Sequence, residues 1–174
     1  MIDRKSHPVR PLLFLDVDGT LLPLDGSKPL DADAGWDAWQ GTGNPLLRRV
    51  DRTHGPRLLA LGCELMWATA WMEDANEVIS PLLGLPQLPV AALPDWQSDG
   101  VADGLHWKTR VLVELANGRP FVWLDDELTV SDEAWVTNNH PAPALLHRVD
   151  PGRGLSEQDL TTVGAWLSTA LAAE

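Results

Sequence analysis

The sequence predicts an α/β fold built on a mainly parallel sheet of about five strands. Three observations predict it. The short strand-like runs are apolar throughout instead of alternating, which suits strands covered on both faces. Segments of helical spacing fall between those runs, the order expected of strand–crossover–strand units. The length of 174 residues, with 44% apolar and 22% charged side chains, makes one ordinary domain with a sizeable core. The chain is read as a single domain over residues 1–174, with 1–10 a flexible N-terminal segment.

Taken in order, Leu12-Leu13-Phe14-Leu15 is a buried strand stopped by Asp16-Val17-Asp18-Gly19. Residues 23–45 are rich in Gly and Pro and read as loop or hairpin. Leu46–Val50 reads as a short strand. His54–Leu61 reads as a helix ended by Gly62. Glu64–Ala68 is a second buried strand ending at Thr69. Residues 73–83 look helical, with Glu73 and Asp74 in the first turn, where the helix dipole favours acids; Gly84 and Pro86 close them. Leu88–Leu93 is a third apolar run. His106–Ala116 has helical spacing and ends at Asn117-Gly118. Phe121–Leu124 is a fourth strand, stopping at Asp125-Asp126-Glu127, and Ala144–Val149 is a fifth. Ser156 opens the last helix, with Asp159 three residues on in a capping-box arrangement.

Composition narrows the function. The formal charge is −12, from 25 acidic and 13 basic residues, a poor footprint for a protein that coats nucleic acid. One cysteine, Cys63, excludes an intrachain disulfide. No apolar run is long enough for a membrane span or a signal peptide, so a soluble, cytoplasmic protein is expected. The histidines His54, His106, His140 and His147 are too dispersed for a metal set.

In parallel sheets ligands bind at the carboxyl ends of the strands. Three strands end there in reactive groups: Asp16 and Asp18, Thr69, and Asp125 with Asp126. Lys108 opens a helix that projects to the same end. Carboxylates from two strands suit a hard cation such as Mg2+. A hydroxyl, an ammonium and backbone N–H groups suit a phosphate. Taken singly, each residue has a plain alternative. Asp16 and Asp18 are as good turn caps as catalysts, Thr69 is an ordinary strand-end hydroxyl, and Lys108 is a solvated helix residue. The ordered set favours chemistry.

That set resembles the haloacid dehalogenase (HAD) superfamily phosphatases. Asp16-Val17-Asp18-Gly19-Thr20-Leu21-Leu22 is similar to their first motif, Thr69 to the second, Lys108 to the third, and Asp125-Asp126 to the acidic fourth. The resemblance implies a Rossmann-like three-layer sandwich and an Mg2+-dependent phosphomonoester hydrolase working through an aspartyl phosphate. It implies Asp16 as nucleophile and Asp18 as general acid, then base. It gives Thr69 and Lys108 contacts to the phosphoryl group. The metal would be held by Asp16, the Asp18 backbone carbonyl and Asp125, with Asp126 behind it holding water.

The intervals from Asp16 to Thr69 and from Thr69 to Lys108 leave no room for a sizeable cap. Capless members act on large substrates or close the site by forming a homo-oligomer. Trp67-Ala68-Thr69-Ala70-Trp71 with Asp74-Ala75-Asn76 is similar to HAD domains of bacterial RNA-repair proteins. This hints at a nucleotide or nucleic-acid end phosphate, and at Trp71 as a substrate-facing wall. A phosphate-accepting signalling domain without turnover is the competing reading, although such receivers carry their acidic pair first in the chain. A dehalogenase has no use for Asp18 or for Mg2+.

Overall fold

A computed structural model of the chain describes residues 10–24, 42–94 and 104–172. Four strands form one all-parallel sheet: β1 (Leu12–Leu15), β2 (Glu64–Trp67), β3 (Phe121–Asp125) and β4 (Ala144–Arg148), in the order β2-β1-β3-β4. The helices are α1 (His54–Ala60), α2 (Ser80–Leu83), α3 (Thr109–Ala116), α4 (Val130–Asn139) and α5 (Glu157–Ala172). A π-helical turn, Ala75–Ile79, runs straight into α2. The expected N-terminal segment and the expected loop over 23–45 fall wholly or largely outside the described residues.

The central strands β1 and β3 are buried at every position and on both faces. Leu13 and Leu15 of β1 and Val122 and Leu124 of β3 join one core cluster, with Leu58 of α1, Ile79, and Val163 of α5. Their alternating neighbours Leu12, Phe14, Phe121 and Trp123 join a second cluster, with Leu112 of α3 and Val136 of α4. Successive strand side chains point to opposite faces, so one apolar run feeds both cores.

The sheet has four strands among the described residues, not five, and two expected strands are corrected. Pro45–Arg49 is a 3-10 helix, because Pro45 cannot donate to a ladder and its fixed φ starts a helical turn. The Asn44 side chain caps it, accepting from the Leu46 N–H at 2.8 Å. Leu88–Leu93 contributes one isolated parallel bridge, Val90 to Trp67, at the outer edge of β2. Pro89 lacks a donor there, although its carbonyl still accepts from the Trp67 N–H at 2.8 Å.

Other boundaries follow the sequence. Gly62 and Gly84 take positive φ past the ends of α1 and α2, and Asn117 and Gly118 do so past α3. Ser156 caps α5, with its backbone N–H given to Asp159 at 2.8 Å. No helix among the described residues is long and apolar enough to cross a membrane.

Candidate active site

The strand order places the site. The chain leaves β1 toward β2 and later returns on the other side of β1 as β3. A crevice opens where the order reverses, beyond the carboxyl ends of β1 and β3. Asp16 follows β1 directly and Asp125 is the last residue of β3. The Asp16 N–H donates to the Leu124 carbonyl at 3.1 Å, which holds the two strand ends together.

Lys108 joins the two carboxylates. Its Nζ donates to Asp16 Oδ1 at 2.7 Å and to Asp125 Oδ2 at 2.8 Å, with all three side chains buried. Asp125 is further held by the Trp123 indole N–H at 3.2 Å and the Glu127 backbone N–H at 3.0 Å. One ammonium is thus shared by two acids, and their ionisation diverges. Burial, reinforced by Asp125 and Asp18, pushes the Asp16 carboxyl well above the usual range despite Lys108. Asp125 is equally buried, but Lys108, His106 and the Glu127 N–H outweigh burial and hold it below that range. Burial also works against the Lys108 ammonium, yet Asp16 and Asp125 overcome it and keep the lysine charged.

Asp126 stands beside this trio. Burial, together with Asp125 and Glu127, raises its carboxyl to about 7. Its side chain lies against Gly19, where an added Cβ would come within 2.3 Å of Asp126 Oδ2. Gly19 also has φ +70°, so this position in the turn after β1 needs glycine twice over. Asp16, Asp125 and Asp126 each present an oxygen within 4.8 Å of the others, a grouping able to hold a metal ion. The donors are all carboxylate oxygens, which match a hard cation. With all three ionised and Lys108 charged, a net double negative charge awaits a divalent partner.

Asp18 and Thr69 meet through a different residue. The Trp71 indole N–H donates to Asp18 Oδ2 at 2.9 Å, and the Trp71 backbone N–H donates to Thr69 Oγ1 at 3.3 Å. Parallel register pairs Leu15 with Trp67, so Thr69 leaves the sheet on the same rim as Asp16. Trp71 itself is 1% exposed and packs in the first core cluster. The expected substrate-facing wall is therefore corrected: a ring enclosed by aliphatic side chains offers no face for stacking.

Sequence reasoning sets His106 aside as one of the dispersed histidines and gives Asp132 only a lesser part behind the metal site. His106 Nδ1 accepts from the Lys108 backbone N–H at 3.2 Å, and Nε2 stands 3.3 Å from Glu127 and 4.0 Å from Asp125. Its ring meets Trp123 edge-on, with centroids 5.4 Å apart. Asp132 caps α4 and also accepts from the His106 N–H at 2.8 Å and the Thr109 hydroxyl at 2.6 Å, fixing the start of α3 and hence Lys108. The spacing Thr129-x-x-Asp132 was a readable capping-box signal, whereas nothing local marks His106.

No known family model matches the chain, and none of the curated proteins matches it in sequence. The functional reading rests on the geometry and on the motif order.

Proposed function

We propose that the chain is a Rossmann-like three-layer HAD-type phosphatase, an Mg2+-dependent hydrolase of phosphomonoesters. The observation that carries this is the buried Asp16–Lys108–Asp125 bridge with Asp126 beside it. A cationic nitrogen and a carboxylate cluster at one sheet rim are what an anionic nucleophile needs to approach an anionic phosphate.

In this reading Asp16 attacks phosphorus and Lys108 offsets charge on Asp16 and on the phosphoryl oxygens. Thr69 donates its hydroxyl to the phosphoryl group. Asp18 gives a proton to the leaving oxygen and later takes one from water. Asp16, Asp126 and the Asp18 carbonyl would hold Mg2+. When bound, the ion supplies charge neutralisation at the phosphoryl oxygens. The balance between the adjacent acids shifts from the expectation. Asp125 spends its carboxyl on Lys108, Trp123 and Glu127. Arg148 Nε donates to the Asp126 backbone carbonyl at 3.0 Å, but no hydrogen bond from another described residue reaches the Asp126 carboxyl, which favours Asp126 over Asp125 as the direct ligand.

The substrate class extends to nucleotide and nucleic-acid end phosphates, and a homo-oligomer closing the site belongs to the same proposal, as does a cytoplasmic setting. The test is hydrolysis of 4-nitrophenyl phosphate, nucleotides and 3′- or 5′-phosphorylated oligonucleotides, with Mg2+ and with EDTA. Mg2+-dependent release of phosphate supports the proposal. Release indifferent to chelation would refute it, and a stable phosphoprotein without turnover would favour a phosphate-accepting signalling domain.

A further inference from the structure

Trp71 lies two residues beyond Thr69 and 53 residues from Asp18, yet it touches both. Its backbone N–H reaches Thr69 Oγ1 at 3.3 Å and its indole Nε1 reaches Asp18 Oδ2 at 2.9 Å. The backbone is bent to make this work. The Met72 N–H turns back to the Thr69 carbonyl at 3.2 Å, and Met72 takes φ +49°, a strained value for a side chain of its size. The turn sends the indole inward, where the apolar core encloses its ring. The ring is thereby immobile, and its one polar atom is aimed at Asp18.

We infer that Trp71 is a positioning residue for the acid–base step, orienting the Asp18 carboxyl. An indole N–H donates and never accepts. Its bond to Oδ2 therefore fixes the plane of the Asp18 carboxyl without competing for the proton that Asp18 transfers. The inference rests on the phosphatase reading. In the first half-reaction the Asp16–phosphorus bond forms and the ester P–O bond breaks, while the Asp18 carboxyl proton passes to the departing oxygen to give the alcohol. In the second, the water oxygen bonds to phosphorus and the Asp16–phosphorus bond breaks. The proton lost by water returns to the Asp18 carboxylate, so ester plus water gives alcohol plus phosphate.

A residue that orients the acid matters most where the leaving group needs a proton. Trp71→Phe keeps the backbone N–H and most of the ring but removes the indole donor. Its kcat/KM, which reports the first half-reaction, is compared on 4-nitrophenyl phosphate and on a simple alkyl phosphate. The alkyl ester should lose about tenfold or more and the nitrophenyl ester about threefold or less, since general acid catalysis commonly contributes at least about a hundredfold. Equal losses on both esters, or none on either, in an active enzyme would overturn the inference alone. A wild-type chain that hydrolyses neither ester overturns the phosphatase reading and the inference with it. A second measurement needs no turnover and no folded Trp71 variant. Among the indole N–H signals in a proton–nitrogen NMR spectrum of the wild type, the Trp71 signal should move upfield in Asp18→Ala while the signal of Trp135, which packs against the other core cluster, stays in place. A Trp71 signal unmoved by Asp18→Ala contradicts the bond on which the inference stands.

Discussion

Two buried carboxylate sites lie a few residues apart in this fold, and they are built on opposite terms. At the joint between α3 and α4, Asp132 is fully enclosed and satisfied: its two oxygens accept from His106 N–H, Thr109 hydroxyl, Thr129 N–H and Thr129 hydroxyl. Burial works against its charge, but these donors outweigh it and hold the carboxyl below its ordinary range. At the strand-end rim, three acids crowd around one lysine, and Asp16 and Asp126 are pushed up instead. A satisfied carboxylate stabilises a fold. A crowded one is strain that the fold holds in place, and such strain marks chemistry.

The contrast breaks most sharply at Asp16. Replacing it by Asn should lower phosphatase turnover by more than about a thousandfold, because the proposed nucleophile is gone. Stability should stay within about 1 kcal/mol of wild type, because the neutral amide relieves a crowded charge and its oxygen still accepts from Lys108. Steady-state kinetics beside urea melts checks both halves. A large loss of stability would make Asp16 a structural residue like Asp132.

Lys108 serves both purposes at the rim. Lys108→Met strips the shared cation from two buried acids and should cost about 3–5 kcal/mol in denaturant melts, together with activity. Added Mg2+ should recover part of the stability. A variant as stable as wild type would mean that the ammonium is not the partner of both acids.

Asp132→Asn should destabilise by about 2–3 kcal/mol, since one oxygen that accepts from two donors becomes a donor itself. The pH dependence follows the lowered carboxyl. Its stabilisation is present above the unfolded value of about 3.9 and is lost as pH falls through the lower folded value. The variant should therefore lose less stability than wild type on acidification. Parallel acid limbs in the two melts would remove Asp132 from the comparison.

The smallest effect sharpens the rim itself. Asp126, raised to about 7, is least comfortable ionised. Without metal, its contribution should erode stability as pH rises from about 4 to about 7. A divalent cation takes the ionised form, so apparent Mg2+ affinity should climb about tenfold per pH unit below about 7 and level off above. Calorimetry in buffers of different ionisation heat reads the released proton. Affinity independent of pH would exclude Asp126 as a ligand, and Asp126→Asn should weaken Mg2+ more than Asp125→Asn.

The same contrast explains what was legible in the sequence. The rim was readable because its residues follow runs whose type is locally encoded: Leu12–Leu15 and Phe121–Leu124 are too apolar for anything but buried strands, and parallel topology brings their ends together. Lys108 was readable only as the start of a helix, and the structure begins that helix at Thr109 with Lys108 as its cap. The strand expected at Leu46–Val50 failed because three apolar residues interrupted by Arg48 and Arg49 do not distinguish a strand from a 3-10 turn, and Pro45 decides it. Helix α4 was not anticipated, since Val130–Asn139 buries only Asp132 and Val136 and has little apolar face to show. The roles of Trp71 and His106 depend on contacts across the fold, to Asp18 and to Asp125 and Glu127, which no spacing along the chain records.

The most direct test of the rim as a phosphoryl-transfer site is chemical trapping during turnover. The protein is acid-quenched during incubation with 4-nitrophenyl phosphate and Mg2+, then reduced with borohydride, which converts an aspartyl phosphate to homoserine, and mapped by peptide mass spectrometry. Homoserine at position 16, absent when EDTA replaces Mg2+, is the predicted result. Turnover with aspartate intact at position 16, or with the label on another residue, would contradict it.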